Sequence, residues 1–102
     1  LLKEPQHVDP RAIAMADPAS IALHAIWKAG GLRIGQTGGV VGCGPIGLFA
    51  IQWLRLMGAR DVLAVDVSEE KLALAREAGA TRTVLSADLA DCPAKADLVI
   101  EA

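Results

Sequence analysis

The stretch VVGCGPIGLFA (residues 40–50) places three glycines within six residues, between a β-branched pair and a run of helix-forming residues. β-Branched residues favour strands, whereas glycines permit a tight turn where a helix begins. The glycines, Gly42, Gly44 and Gly47, have the spacing G-x-G-x-x-G. Because this spacing follows a predicted strand and opens a predicted helix, it indicates the first turn of a βαβ unit.

Hydrophobic periodicity and capping residues predict further elements outside this stretch. We expect an irregular lead-in over residues 1–16, which contains two prolines and no sustained period. Asp17 is the expected N-cap of a first helix that ends near residue 29, with Pro18 at its first position. The remaining predicted elements are a strand at residues 40–41, a helix over 45–57, a strand over 61–67, a helix from Ser68 to Gly79, a strand over 81–85, a polar connector and a strand over 97–102.

Strands that alternate with helices at this spacing predict a parallel sheet with right-handed crossovers. The expected fold is therefore α/β, a partial Rossmann-type, doubly wound parallel sheet of about four strands with flanking helices. We assign this fold to residues 17–102. Because the chain does not begin with Met and ends inside a predicted strand, we expect a segment truncated at both ends relative to a full enzyme.

The composition argues against several partners and compartments. The chain has 102 residues, enough for one hydrophobic core, and a net charge of −2. Its basic residues are scattered singly, so no nucleic acid partner is expected. The two cysteines, 49 positions apart and without a Cys or His cluster, predict neither a disulfide nor a zinc site and fit a reduced, cytoplasmic setting. The N-terminal residues do not have the pattern of a secretory signal.

A membrane-spanning helix was the alternative interpretation of residues 34–54. These 21 residues carry no charge, and about 20 residues suffice to cross a bilayer. Pro45 and the glycines around it would break such a helix in its middle. A buried strand, a turn and a helix explain the same residues better, so no membrane contact is expected.

Each glycine of the motif has its own expected duty. Gly42 allows the tight turn out of the strand, Gly44 leaves room for a pyrophosphate, and Gly47 lets the helix pack closely on the strand. The pyrophosphate is expected to bind the free N–H groups of Ile46 and Gly47, where the backbone dipoles favour negative charge. Pro45 cannot donate a hydrogen bond, but it fixes φ for the first turn.

A carboxylate and a lysine complete the predicted nucleotide site. Asp66 ends the second predicted strand, 24 residues after Gly42, close to the spacing of about 20 expected for the acid that binds the adenosine ribose. Its charge would repel a 2′-phosphate, so NAD is expected rather than NADP. Lys71 is placed to reach the same ribose, and Val67 belongs to the expected cofactor-binding set. Each residue alone also fits a structural role; the combination favours the nucleotide.

Other residues are interpreted structurally, and no catalytic residue or metal ligand is predicted in this segment. His24 lacks a paired carboxylate and is expected to be packed or exposed rather than catalytic. Cys43 lies at a helix start, which can lower the pKa of a thiol, but its small size suffices to explain it. Trp27 and Trp53 are expected in the core or at a domain contact.

Four stretches resemble the cofactor domain of the medium-chain, zinc-type alcohol and polyol dehydrogenases: DPASIALHAIWKAG, VGCGPIGLFAIQWLRLMGAR, VLAVDVSEEKLALAREAGA and ADLVIEA. They are most similar to the sorbitol, threonine and galactitol-phosphate dehydrogenase branch. The resemblance implies NAD, a small alcohol or polyol substrate, and hydride transfer between a secondary alcohol and NAD. It also implies a catalytic zinc, whose ligands belong mostly to another domain, and a homo-oligomer. The segment alone is therefore expected to be inactive.

Two positions depart from the pattern of that family. Asp17-Pro18 stands where the sorbitol-like branch has a Glu-Pro pair near the zinc, and the shorter Asp puts that role in doubt. Gly38-Gly39 replaces apolar residues of the first strand. Two buried side chains are lost there, each worth about 1.5 to 3 kcal/mol, so a weakened strand is expected.

Two other functions remain open at this stage. The loop is also similar to that of S-adenosylmethionine-dependent methyltransferases, but those enzymes generally carry an acid two places before the first glycine, where this chain has Val40. The chain could alternatively be a non-catalytic nucleotide-binding or oligomerisation module, because half a sheet leaves its edges and one apolar face uncovered.

Overall fold

The computed structural model describes residues 10–91 and 95–102. Its elements are α1 Pro10–Lys28, β1 Thr37–Val41, α2 Pro45–Leu56, β2 Asp61–Asp66, α3 Glu69–Ala78, β3 Arg82–Leu85, a 3-10 helix Ser86–Asp91 and β4 Leu98–Glu101. Helices and strands therefore alternate along the chain as predicted, with bounds that differ by a few residues except at α1.

The four strands form one parallel sheet in the order β3-β2-β1-β4. Strand β1 lies in the centre, where Gly38 is paired with Val62 on one side and with Leu98 on the other. Parallel neighbours of this kind require long connections, which α2 and α3 supply between the first three strands. The arrangement confirms the predicted α/β, Rossmann-type fold.

The hydrophobic core lies between the helices and the sheet. Strand β2 is buried from Val62 to Asp66, in agreement with a strand covered on both faces. Helix α2 buries one side against the sheet, although its sequence is apolar nearly all round, and Leu56 at its end is 78% exposed. The central cluster includes Ala22, Ile26, Val40, Ala50, Ile51, Leu54, Val62, Ala64, Leu72, Ala75, Leu98 and Ile100.

Helix α1 begins at Pro10, not at Asp17, so the expected N-cap and the part of the lead-in from Pro10 onward are wrong. Pro10 suits the first position, where its missing N–H has no helical acceptor. Pro18 lies inside the helix and removes one hydrogen bond. Helix α1 nevertheless continues through Pro18 and packs against α2. The lead-in over residues 1–9 lies outside the described residues.

Glycines end the helices where the sequence predicts. After α1, Gly30 and Gly31 have φ of 105° and 74°, and the N–H of Gly31 donates to the carbonyl of Ile26 at 3.0 Å. Gly79 ends α3 with φ of 125°, and Ser68 caps its start by accepting from the N–H of Lys71 at 3.4 Å. These glycines determine where α1 and α3 end.

Gly38 in β1 allows α2 to approach the sheet closely. A Cβ on Gly38 would lie 2.8 Å from Cδ1 of Leu54, so the Leu54 side chain occupies the space that a larger residue would need. Strand β1 is hydrogen-bonded on both sides despite its two glycines. Its expected weakening remains a prediction.

Residues 34–54 form a turn, β1, the glycine loop and most of α2. Within the described ranges, no helix combines the length and the apolar character needed to cross a membrane.

Candidate functional site

The glycine loop leaves the centre of the sheet, at the carboxyl end of β1. Gly42 has φ of 95°, a conformation that side chains rarely tolerate, and its N–H donates to the Val65 carbonyl at 2.8 Å. A Cβ here would lie 2.5 Å from the carbonyl oxygen of Ala102. Gly42 is thus held between β2 and the end of β4, and no other residue fits without a backbone shift.

The other two glycines face opposite conditions. A Cβ on Gly47 would overlap the carbonyl oxygen of Gly42, so α2 begins in direct contact with the loop. A Cβ on Gly44 would meet nothing within 4 Å. The loop is therefore tightly packed on its protein side and open beside Gly44, as expected of a loop that leaves room for a ligand.

The start of α2 offers unpaired donors to this opening. The first intrahelical bond runs from the N–H of Leu48 to the Gly44 carbonyl at 2.9 Å, and Gly44 has no side chain to cap the helix. The N–H groups of Ile46 and Gly47 precede that bond and have no helical acceptor. Pro45 occupies the first position and has no N–H. The helix start can therefore bind an anion through two backbone donors.

A cavity of about 250 Å³ lies in front of these donors. It is lined by Gly42, Cys43, Gly44, Pro45, Ile46, Gly47, Asp66, Lys71 and Ala102. Seven of the eight predicted cofactor-binding residues are in this set. Val67 is not, and its side chain is 81% exposed beside Asp66.

Asp66 points at the loop and is bound to it. Its side chain is only 7% exposed, yet Oδ2 accepts the N–H of Cys43 at 2.7 Å and Oδ1 accepts the N–H of Ser68 at 2.9 Å. The bond from Cys43 is the main reason why the pKa of Asp66 lies below its usual value, although burial opposes it. The bond from Ser68 and the charge of Lys71 add to the effect. Asp66 is consequently ionised at neutral pH.

Lys71 supplies the positive charge of the site. It lies in the first turn of α3, its side chain is exposed, and it lines the cavity opposite the loop. The site therefore combines one buried carboxylate, one exposed cation and two backbone donors, a set that suits a ligand with both hydroxyl groups and an anionic centre.

Three contributors to the site were missed because they act through the backbone. Cys43 and Ser68 hold Asp66 with their N–H groups, and Ala102 supports Gly42 with its carbonyl oxygen. The Cys43 thiol is buried, and its pKa is raised by burial and by the charge of Asp66. The pKa of this thiol is therefore not lowered by its place at the helix start, and the structural interpretation of Cys43 stands. Residue type alone does not indicate such roles.

The aromatic residues and His24 lie away from the loop. His24 is exposed, with its ring centroid 6.1 Å from that of Trp27, in agreement with a non-catalytic position. Trp27 is 74% exposed, so its placement in the core is wrong, and a domain contact remains a prediction. Trp53 is half-buried and donates through Nε1 to the Ala19 carbonyl at 2.9 Å, which joins α2 to α1 as expected of a core residue.

A larger cavity, about 420 Å³, lies on the other side of α3, between α3, β3 and the 3-10 helix. Its charged lining residues are Glu69, Arg76, Asp88 and Asp91, and Arg76 is already hydrogen-bonded to Thr83 at 2.7 Å. This excess of carboxylates does not favour a phosphate. Across residues 10–91 and 95–102, no three metal-ligating side chains lie close enough together to hold a metal ion.

Comparison with known proteins assigns residues 45–102 to a family described as zinc-binding dehydrogenases. An L-threonine 3-dehydrogenase of Bacillus velezensis is 37% identical over 89 residues, which are 87% of this chain and 25% of that protein. Galactitol 1-phosphate 5-dehydrogenase of Escherichia coli K12 is 41% identical over 74% of this chain and 22% of its own length. The chain thus spans about a quarter of the length of these relatives.

Solved structures of the same kind superpose closely. A zinc-binding dehydrogenase of Sinorhizobium meliloti bound to NADP matches with a TM-score of 0.82 at 33% identity, over 98% of this chain and 32% of that one. An alcohol dehydrogenase of Escherichia coli CFT073 in complex with NADH matches with a TM-score of 0.80 at 28% identity, over 99% of this chain and 32% of that one.

Proposed function

This chain belongs to the zinc-binding dehydrogenase family, and on that premise we propose that it binds NAD as part of an alcohol or polyol dehydrogenase. The observation that carries the proposal is the pairing of the open loop with Asp66. A buried, ionised carboxylate lines the same cavity as a helix start with free N–H groups. Ribose hydroxyls and a pyrophosphate are the ligand groups that such walls bind.

The loop fits the pyrophosphate of a dinucleotide. The open side of Gly44 lets phosphate oxygens come close to the main chain, where Ile46 and Gly47 can donate. The positive end of the α2 dipole and the Lys71 ammonium both favour the negative charge of the ligand. Asp66 lines the same cavity, where its remaining lone pairs can accept the two hydroxyls of the adenosine ribose.

Asp66 also favours NAD over NADP. Structural neighbours contain either NADH or NADP, so the choice for this chain depends on its own residues. A 2′-phosphate near the buried carboxylate would meet a repulsion of about 4 kcal/mol for each pair of unit charges 4 Å apart at the effective dielectric near a protein surface. Among the residues that the structure describes, Lys71 is the one cation that lines the cavity, and it would offset part of this repulsion. We therefore assign the site to NAD.

The reaction proposed for the whole enzyme is the reversible oxidation of a secondary alcohol to a ketone, in which NAD would accept a hydride from the alcohol carbon and the hydroxyl proton would be released. The relatives are named after L-threonine, butanediol and galactitol 1-phosphate, so we propose an alcohol or polyol as the substrate class. The described residues do not include a cluster that fits a zinc ion. The zinc ligands, a homo-oligomeric state and a cytoplasmic location are proposed from the family alone.

A methyltransferase and a non-catalytic module are the two alternative functions. Membership of the dehydrogenase family argues against a methyltransferase, as does Val40 in the place of an acid. A non-catalytic module differs from the proposal only in turnover, because both would bind a nucleotide. We propose that residues 1–102 bind NAD and have no activity by themselves.

Isothermal titration calorimetry with NAD, NADP, S-adenosylmethionine and ATP tests this proposal. We expect NAD to bind most tightly and Asp66→Ala to weaken it at least tenfold, since hydrogen bonds to a charged group contribute about 1.5 to 3 kcal/mol. Glu70→Ala is the matched control, because it removes an exposed carboxylate in the first turn of α3, four residues after Asp66, that does not line the cavity. Tighter binding of S-adenosylmethionine than of NAD, or no binding of NAD, would reject the proposal.

A further inference from the structure

We propose that Asp66 is a positioning residue for the pyrophosphate loop, in addition to the ribose contact that the proposed function gives it. The inference rests on that proposed function and deepens it. It says that one carboxylate controls two parts of the ligand: the ribose directly, and the pyrophosphate through the conformation of the loop.

The hydrogen bonds of Asp66 join two separate segments. Oδ2 accepts from Cys43, which is in the loop after β1, and Oδ1 accepts from Ser68, which caps α3. Both distances, 2.7 and 2.9 Å, are typical of charge-assisted bonds. The carboxylate therefore acts as a bridge between the loop and the start of the next helix.

The bond to Cys43 fixes the part of the loop that a pyrophosphate would approach. Cys43 is buried, and its N–H belongs to the peptide bond that follows Gly42, a residue with φ of 95°. The next residue, Gly44, lies on the open side of the loop. Removing the acceptor would leave a buried N–H without a partner, and such a group is costly unless the backbone moves. A movement of this peptide would change the direction of the donors at the start of α2.

Cofactor preference should then depend on more than the charge of Asp66. A shorter side chain at this position would admit a 2′-phosphate but would also release Cys43 and Ser68. We infer that such a variant binds NAD and NADP both weakly, because the pyrophosphate site is common to the two.

A comparison of adenosine with ADP separates the two roles. Asp66→Asn keeps the shape of the side chain but places an NH₂ group against one of the two N–H donors. If Asp66 positions the loop, the variant should lose about tenfold more affinity for ADP than for adenosine, in NMR titrations that follow backbone amide shifts. Loss of the negative charge alone would favour ADP over adenosine, so it cannot produce this result.

Glu70→Gln is the control, because it makes the same charge change on an exposed side chain of α3 that does not line the cavity. It should change the affinities for adenosine and ADP by the same factor. Equal losses for the two ligands in Asp66→Asn would overturn the inference while leaving the proposed function intact. If the wild-type chain bound neither ADP nor NAD, the proposed function itself would be wrong.

A measurement on the wild-type chain covers the case in which Asp66→Asn does not fold. The amide proton shifts of Cys43 and Ser68 should change together on acidification, with a single midpoint below the usual range of an Asp side chain. If neither amide responded, or the two had different midpoints, the bridge would be absent and the inference would be wrong.

Discussion

Gly44→Ala and Gly47→Ala should have opposite effects, although each adds one methyl group to the same loop. At position 47 the methyl would overlap the Gly42 carbonyl oxygen and would also come within 3.4 Å of Cγ1 of Val40. The carbonyl cannot swing away freely, because the same residue donates to Val65 at 2.8 Å. At position 44 the methyl would meet nothing within 4 Å. The first change should therefore act on the fold and the second on the ligand.

The magnitude for Gly47→Ala follows from three contributions. Overpacking against backbone costs up to about 3 kcal/mol, and loss of the Gly42 hydrogen bond costs about 1 kcal/mol. Alanine in a helix regains about 1 kcal/mol over glycine. We expect a net loss of about 3 kcal/mol in the free energy of unfolding. Gly44 is an N-cap in an extended conformation open to alanine, so Gly44→Ala should cost less than about 1 kcal/mol.

Urea denaturation followed by circular dichroism measures the first effect, and calorimetry with NAD measures the second. Gly44→Ala should remain folded and bind NAD at least tenfold more weakly, because its methyl occupies the approach to the backbone donors. If Gly47→Ala does not fold while Gly44→Ala does, this result also confirms that the substitution at position 47 is the more destabilising one. Equal stabilities of the two variants would refute the assignment of the loop's packed and open sides.

Three further predictions concern stability and reactivity. Gly38→Ala should destabilise the chain by about 1 to 2 kcal/mol, because the added Cβ would lie 2.8 Å from Leu54. In a double-mutant cycle, Leu54→Val should recover part of this loss. Strictly additive effects of the two substitutions would contradict this contact. Folding lowers the pKa of Asp66 below its ordinary value of 3.8. The ionised carboxylate therefore contributes fully to the free energy of unfolding above pH 3.8, and this contribution is lost as the pH falls through the pKa of the folded chain. The stability difference between wild type and Asp66→Asn should therefore shrink in urea unfolding below pH 3.8, and a constant difference would argue against a lowered pKa. In a Cys92→Ser background, iodoacetamide should modify Cys43 far more slowly in the native chain than in urea, since its thiol is buried with a raised pKa; equal rates would exclude this burial.

The sequence predicts the site better than it predicts the first helix. The sequence places the glycine motif directly after one strand and Asp66 at the end of the next strand. Because the strands are parallel, both carboxyl ends meet at the same edge of the sheet. Gly44 and Asp66 consequently line the same cavity. The start of α1 is different. Pro18 is a strong local signal for a helix start, but the helix continues through it and packs on α2. Local propensity was overridden there by tertiary contacts.

Bonds made by the main chain could not be predicted at all. The N–H groups that hold Asp66 come from Cys43 and Ser68, but any residue except proline could donate at those positions. The exposure of Trp27 could not be predicted either, because an apolar side chain at helical spacing is equally compatible with a core and with a surface.

The central position of β1 has a consequence for the order in which the chain assembles. Gly38 pairs with Val62, 24 positions later, and with Leu98, 60 positions later, and Ala102 closes against Gly42 only once β4 has docked. Nearby pairings form earlier than distant ones when loop closure limits the rate. We therefore expect refolding to protect the amides of β2 before those of β4 in pulsed hydrogen exchange, so that the glycine loop is the last part to be completed.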